Sequence, residues 1–332
     1  GPLAGLLVVI YAVSRFGRQV TNFIPHLALY SASAILVMFI TWPFLWENPI
    51  PNFAEVLRFM SDNPTNLSVL FGGEVYRAGE LPRRYLPFML VTTLTEPVWF
   101  LFFTGIVAAH RKLYKQRISE HARSYRGLAV FRRKDVISLM LVFLWFVIPV
   151  AYVFLRRPAV YDGLRHFLFI LPPIFIFTGF AFESISHRIA PAWLRAGLIF
   201  ILLLPGIAGI VQLHPYEYAY YNSFVGGTSQ AFRQYETDYW LTCYKDSVKS
   251  LDQTRDHPVD LYVHREAYIA AYYASENINV RELRGALDEV ISGDYVLVNT
   301  RTNEDRKVFR ELPPVLQVGR GDAIFCVVKQ IP

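Results

Sequence analysis

VYDGLRHFLFILPPIFIFTGF, Val160 to Phe180, is the stretch on which the reading of this chain turns. A short polar turn carrying Tyr161, Asp162, Arg165 and His166 runs straight into an apolar segment of membrane-spanning character. Arg and His at the lip of a spanning helix can face a lipid phosphate while the helix below stays in hydrocarbon. They serve equally well as snorkelling anchors, and these residues alone leave both roles open. Outward from this lip, the upstream sequence reads as further membrane helices. The downstream sequence reads as a soluble domain on the same side as the lip.

Composition agrees. Of 332 residues, 53% are hydrophobic and 16% aromatic, a combination that soluble domains of this size seldom reach. The formal charge of +6 is unevenly placed, with nine Lys or Arg between Arg111 and Lys134 against Glu120 and Asp135. A basic cluster between two apolar runs reports topology rather than nucleic-acid binding, so no nucleic acid partner is expected. The opening LAGLLVVIYAV, Leu3 to Val13, is too short to span and has neither a basic flank nor a cleavage pattern. It reads as a piece of a longer protein entered partway through a helix.

Taken in order, Arg15 and Arg18 mark a cytoplasmic turn, and Phe23 to Trp46 is the first full span. The loop 47–85 is polar, but Phe53, Val56, Leu57 and Met60 recur at helical spacing and predict a short helix on the membrane surface. Leu86 to Ala109 is the next span, interrupted by Pro97 with Glu96 near its middle. The basic cytoplasmic loop 110–135 follows, then spans over Val136 to Leu155, the lip helix to near Glu183, and Leu194 to Leu213. The expected fold is a polytopic α-helical membrane domain over 1–213, with five full spans and one truncated, and a small extracytoplasmic α/β domain over 214–332. Alternation puts the loop 47–85, the loop Arg156 to Arg165 and the C-terminus opposite the basic cluster, in an integral membrane protein of the plasma membrane or its equivalent.

In the second domain Tyr239 to Leu251 and Glu266 to Ser275 read as helices, and Val259 to Val263 and Asp294 to Asn299 as strands. Val315 to Val318 and Ala323 to Lys329 read as a hairpin around Gly319 and Gly321. Cys243 and Cys326 are the only cysteines. A bridge between them is permitted in an exported domain, and separate buried thiols fit their positions as well. No His/Cys grouping suggests a structural zinc site. Asn66-Leu67-Ser68 forms a sequon in the same exported region.

Several stretches carry residues suited to chemistry. GGEVYRAGELPRRYLP, Gly72 to Pro87, gathers Glu74, Arg77, Glu80, Arg83, Arg84, Tyr76 and Tyr85 at the membrane face. Arginines there hold phosphate bidentately, and Glu74 or Glu80 can contact a sugar hydroxyl or a divalent cation, the one cofactor candidate. The alternative is a solvated loop whose arginines meet lipid headgroups. Glu96 either faces a polar cavity or is neutral beside Pro97. HPYEYAYYNSFVGG, His214 to Gly227, has five aromatics between Tyr216 and Phe224, suited to an interfacial belt or to seating the soluble domain. YETDYW, Tyr235 to Trp240, sets Glu236 and Asp238 among aromatics, a composition that also binds sugar.

GELPRRYLPF before one helix, YDGLRHFLFILPP opening another, and HPYEYAYYNSFVGG and ETDYW after the last span together resemble the C-terminal half of a family 39-type glycosyltransferase. That family lies in the GT-C membrane superfamily with protein O-mannosyltransferases and bacterial aminoarabinose transferases. The resemblance runs from about Phe23 to about Trp240. It implies an inverting transferase that takes sugar from a polyprenyl-phosphate donor on the extracytoplasmic face and passes it to an unidentified acceptor. The family's acidic base lies in a first extracytoplasmic loop with no counterpart here, so no catalytic residue is carried over and the piece is expected to be inactive alone. What maps is the lip, with Arg165, His166, Arg83 and Arg84 as donor-phosphate ligands. Glu74, Glu80, Tyr85, Tyr161 and Asp162 are substrate or metal contacts. Two rivals use the same residues: a lipid-linked sugar transporter or flippase, and a non-catalytic membrane scaffold with an exported binding domain. The inverted repeats that would favour the transporter are absent from the sequence.

Overall fold

Apolar runs become helices in the computed structural model, which describes residues 2–61, 67–121, 126–254 and 257–332. The side chains of 115–121 and 126–135 fall outside that description. So does Asn66 of the sequon, and so do most side chains of the basic cluster. The chain is a helical N-terminal region with four to five long apolar helices, followed by a mixed α/β sheet domain.

Helices α1 (Pro2–Phe16) and α2 (Ile24–Thr41) run on through a 3-10 turn at Gly17–Phe23. Gly5–Thr41 is therefore one helical segment of 37 residues, where the sequence suggested a truncated span and a separate full one. Gly17 takes a left-handed angle, φ 58°, and ends α1, but the chain stays helical on both sides of it. Helix α3 (Pro49–Ser61) falls where a short helix was expected in loop 47–85, and its Leu57 and Met60 are exposed. A small hairpin follows, β1 (Ser68–Phe71) with β2 (Glu74–Arg77).

Helices α4 (Tyr85–Thr93) and α5 (Glu96–His121) meet at 106°, so the span expected over Leu86 to Ala109 is broken. Leu94 leaves the helix in an extended conformation, with ψ 152°. Pro97 falls in the first turn of α5, where a missing N–H costs nothing. Glu96 thus begins a helix and is not in the middle of one. The remaining long helices are α6 (Arg126–Arg156), α7 (Leu171–Ser186, entered through a 3-10 turn at Arg165–Ile170) and α8 (Ala192–Leu213). Val136–Arg156, Arg165–Ser186 and Ala192–Leu213 are each long and apolar enough to cross a membrane.

The chain divides into two compact units. The first is 1–66, 102–153 and 169–181; the second is 67–101, 154–168 and 182–332. In the first, Phe102 meets Phe146 and Phe177 edge to face at 5.3 and 5.9 Å. A Cβ at Gly105 would stand 1.8 Å from the carbonyl oxygen of Phe177. The backbones of α5 and α7 touch there, which is how small residues let apolar helices associate.

In the second unit, α8 leads through α9 (Gly227–Ala231) to α10 (Cys243–Gln253). Then come β3 (Val259–Val263), α11 (Ala267–Ala271), β4 (Ile278–Glu282), β5 (Tyr295–Asn299), β6 (Pro314–Arg320) and β7 (Ala323–Gln330). The sheet order is β4-β3-β5-β7-β6, parallel across β4-β3-β5 and antiparallel through β7 and β6. Strand alternation makes two cores. Leu261, Val263, Tyr295, Leu297 and Phe325 face α10 and α11, and Tyr262, Val296, Val298 and Val327 face the opposite side. Strands β3, β5, β6 and β7 match the sequence reading. β4 went unread because its INVRE carries too few apolar residues to stand out. The helix expected from Tyr239 starts at Cys243, because residues 238–242 form a turn around Asp238. Cys243 and Cys326 are bonded, with Cα atoms 5.8 Å apart, tying α10 to β7.

Candidate functional site

The lip begins with a turn in which Asp162 and Gly163 both take left-handed backbone angles, φ 56° and 59°. Glycine adopts these freely and aspartate more readily than most residues. The turn aims the Asp162 carboxylate inward, where it is 2% exposed. Its Oδ2 accepts from Arg165 Nη1 and its Oδ1 from Arg301 Nη2, each at 2.6 Å. Arg301, just past the end of β5, donates through Nε to Glu236 Oε1 at 2.7 Å. The side chains of Arg301 and Glu236 are 10% and 4% exposed. Two buried carboxylates thus share one buried guanidinium, and Arg165 supplies the second positive charge from the rim.

The hairpin loop is stitched to the same turn. Gly163 N–H donates to the Tyr85 hydroxyl at 3.0 Å, Val160 N–H to the Ala78 carbonyl at 3.2 Å, and Arg157 Nη2 to the Glu80 carbonyl at 3.0 Å. Tyr85 is buried, which makes it a support for the lip. Arg165 is different: its side chain stays 45% exposed, and its guanidinium stands 5.9 Å from the Trp240 ring centre. His166 is exposed beside Tyr161, their rings edge to face at 4.8 Å. Trp240 is half exposed and packs on Tyr218 and Tyr239. Arg165, His166, Tyr161 and Asp162 therefore do form one cluster, and Trp240 joins it.

Other expected residues lie apart. Arg83 and Arg84 are exposed, Arg84 lies over the Phe71 ring at 5.7 Å, and neither bonds to the lip among the described residues. Glu74 accepts from the Tyr76 hydroxyl on the hairpin, and Glu80 is exposed. A divalent cation finds no carboxylate cage in these residues. Among the described residues, the grouping of three metal-ligand types is Asp238, Cys243 and Cys326, and its two sulfurs are bonded to each other.

In ETDYW both carboxylates are engaged inside the fold, while Trp240 stays half exposed. Asp238 is 1% exposed and accepts from the Tyr218 hydroxyl and from the backbone N–H groups of Thr242 and Cys243. It caps the start of α10. Glu236 is held by Arg301, but its Oε2 is buried without a hydrogen-bond partner. Desolvation pushes the Glu236 carboxyl up to about 7, against the downward pull of Arg301 and of the Asp162 backbone N–H. Arg301 was not found by sequence reasoning, because an arginine in NTRTNEDR carries no motif.

HPYEYAYYNSFVGG closes the break between α4 and α5. Asn222 Nδ2 donates to the Val91 and Leu94 carbonyls at 2.7 and 2.8 Å, and its N–H donates to the Thr92 carbonyl at 2.8 Å. Ser223 N–H donates to Glu96 Oε1 at 2.7 Å. These groups take up carbonyls that a broken helix leaves open. Tyr216 and Tyr221 are buried and only Phe224 is well exposed, so the segment is not a simple aromatic belt.

No family model matches the chain, and no curated protein or solved structure matches it.

Proposed function

We propose that this chain is the lipid-donor-binding part of a membrane glycosyltransferase that takes sugar from a polyprenyl phosphate on the extracytoplasmic face. The observation that carries the reading is Arg165: a half-exposed guanidinium at the top of an apolar helix, fixed by the buried Asp162–Arg301–Glu236 chain. A fixed cation costs no reorganisation when charge develops, so Arg165 suits the phosphate that departs as the glycosidic bond breaks. His166 adds a donor beside it, and the exposed face of Trp240 can stack on a sugar ring. In this reading the five-span topology puts the lip, the hairpin and the α/β domain outside, and the basic cluster inside. The disulfide is consistent with that side.

The test is binding of undecaprenyl phosphate to the full chain in detergent micelles, read by native mass spectrometry. Arg165→Ala is expected to weaken binding roughly tenfold or more, as befits a charge-assisted phosphate contact. Equal binding by wild type and the Arg165→Ala/His166→Ala double variant sinks the reading. Retained binding of the lipid with loss of its movement across vesicles would favour the transporter instead.

A further inference from the structure

The parallel strands β4, β3 and β5 end on one edge of the sheet, delivering His264 and Arg265, Leu283 and Arg284, and Thr300 and Arg301 to neighbouring positions. The chain passes from β3 to β4 on one side and then to β5 on the other. Connections that leave in opposite directions open a crevice at the carboxyl ends of the strands, a common place for ligands in such sheets.

A cavity of about 330 Å³ occupies this region. Its walls are Leu283, Leu287, Val308 and Phe309, continuous with the smaller core of the domain, and Leu287 is 60% exposed. Its polar groups are His264, Arg284 and Lys307. Lys307 is paired with Glu304, and Glu282 Oε2 accepts from the Ala267 N–H while its Oε1 is buried without a hydrogen bond. Arg284 has no partner among the described residues, nor does the His264 ring. Behind them the Nε of Arg265 is buried without a hydrogen bond. Burial, with Arg265 and Arg284 nearby, keeps His264 below its ordinary value despite Glu304 and Glu282, so it is a neutral donor at pH 7.

We propose that this cavity binds a small organic anion, with an apolar body against Phe309, Val308 and Leu287 and its carboxylate or phosphate on Arg284 and His264. The apolar walls ask for more than an inorganic ion, and the unpaired cation asks for more than a hydrocarbon. This site is separate from Arg165 and does not rest on the transferase reading.

Calorimetric titration of the full chain in maltoside micelles with phenyl phosphate tests it. With the lip's phosphate ligands removed by Arg165→Ala/His166→Ala, saturable one-to-one binding is still expected, weakened roughly tenfold or more by adding Arg284→Ala and severalfold by adding Phe309→Ala. Arg284 is exposed, so its variant tests binding without disturbing the core. No saturable heat in that background overturns the proposal, as does affinity left unchanged by adding Arg284→Ala. Inorganic phosphate binding as tightly as phenyl phosphate overturns the apolar half. If Arg165→Ala alone abolishes binding, the anion is held at the lip and this cavity is not its site.

Discussion

Arg301 binds both buried carboxylates of the lip, and its loss strands Glu236 without a counter-charge and leaves Asp162 with Arg165 alone. Arg301→Met should destabilise the fold by ~3–5 kcal/mol, the usual cost of breaking a buried ion network from one side. Chemical unfolding followed by tryptophan fluorescence would show it. Glu236 makes a pH prediction of definite sign. Its folded pKa is raised to about 7 by desolvation, so the native state holds a proton that the unfolded chain releases at lower pH. Its contribution is full below the unfolded value and is lost as pH rises through about 7. Melting temperature should therefore fall from pH 5 to pH 8 more steeply in wild type than in Glu236→Gln. Matching profiles would show that Glu236 stays ionised throughout. Arg165, His166 and Asp162 were legible because they crowd one short turn before an apolar run. Arg301 was not: it lies 139 residues from Asp162, and only folding reveals the pairing.

Among the elements, the join between α4 and α5 is the most demanding. Its open carbonyls depend on Asn222, so Asn222→Ala should cost ~1–3 kcal/mol through unsatisfied buried acceptors. Asn222→Asp should fare no better, since a carboxylate cannot donate. Thermal unfolding in micelles distinguishes both from wild type. Long apolar helices and strands such as VDLYV and DYVLVN were readable because composition and period report burial directly. The break at Leu94 was hidden, since Pro97 reads the same whether it kinks a helix or begins one. The bond between Cys243 and Cys326 was equally closed to sequence, where a helix and a strand gave no distance between two sulfurs.

For the molecule as a whole, the disulfide closes a stretch of 83 residues that holds most of the sheet. Loop-closure entropy alone makes such a bond worth about 4 to 5 kcal/mol. The Cys243→Ser/Cys326→Ser variant should lose a stabilisation of that order, measured as a lower denaturant midpoint, with a steeper slope because the uncrosslinked chain exposes more surface on unfolding. The amide of Asn222 has another consequence, one for synthesis. Its acceptors at Val91 and Leu94 are made 131 and 128 residues before it. At ribosomal speed that interval is on the order of ten seconds. A nascent chain therefore carries an open helix joint until the last apolar helix has left the ribosome, and in the membrane reading proposed above it carries that joint into the insertion machinery. Water or a chaperoning protein must serve those carbonyls meanwhile.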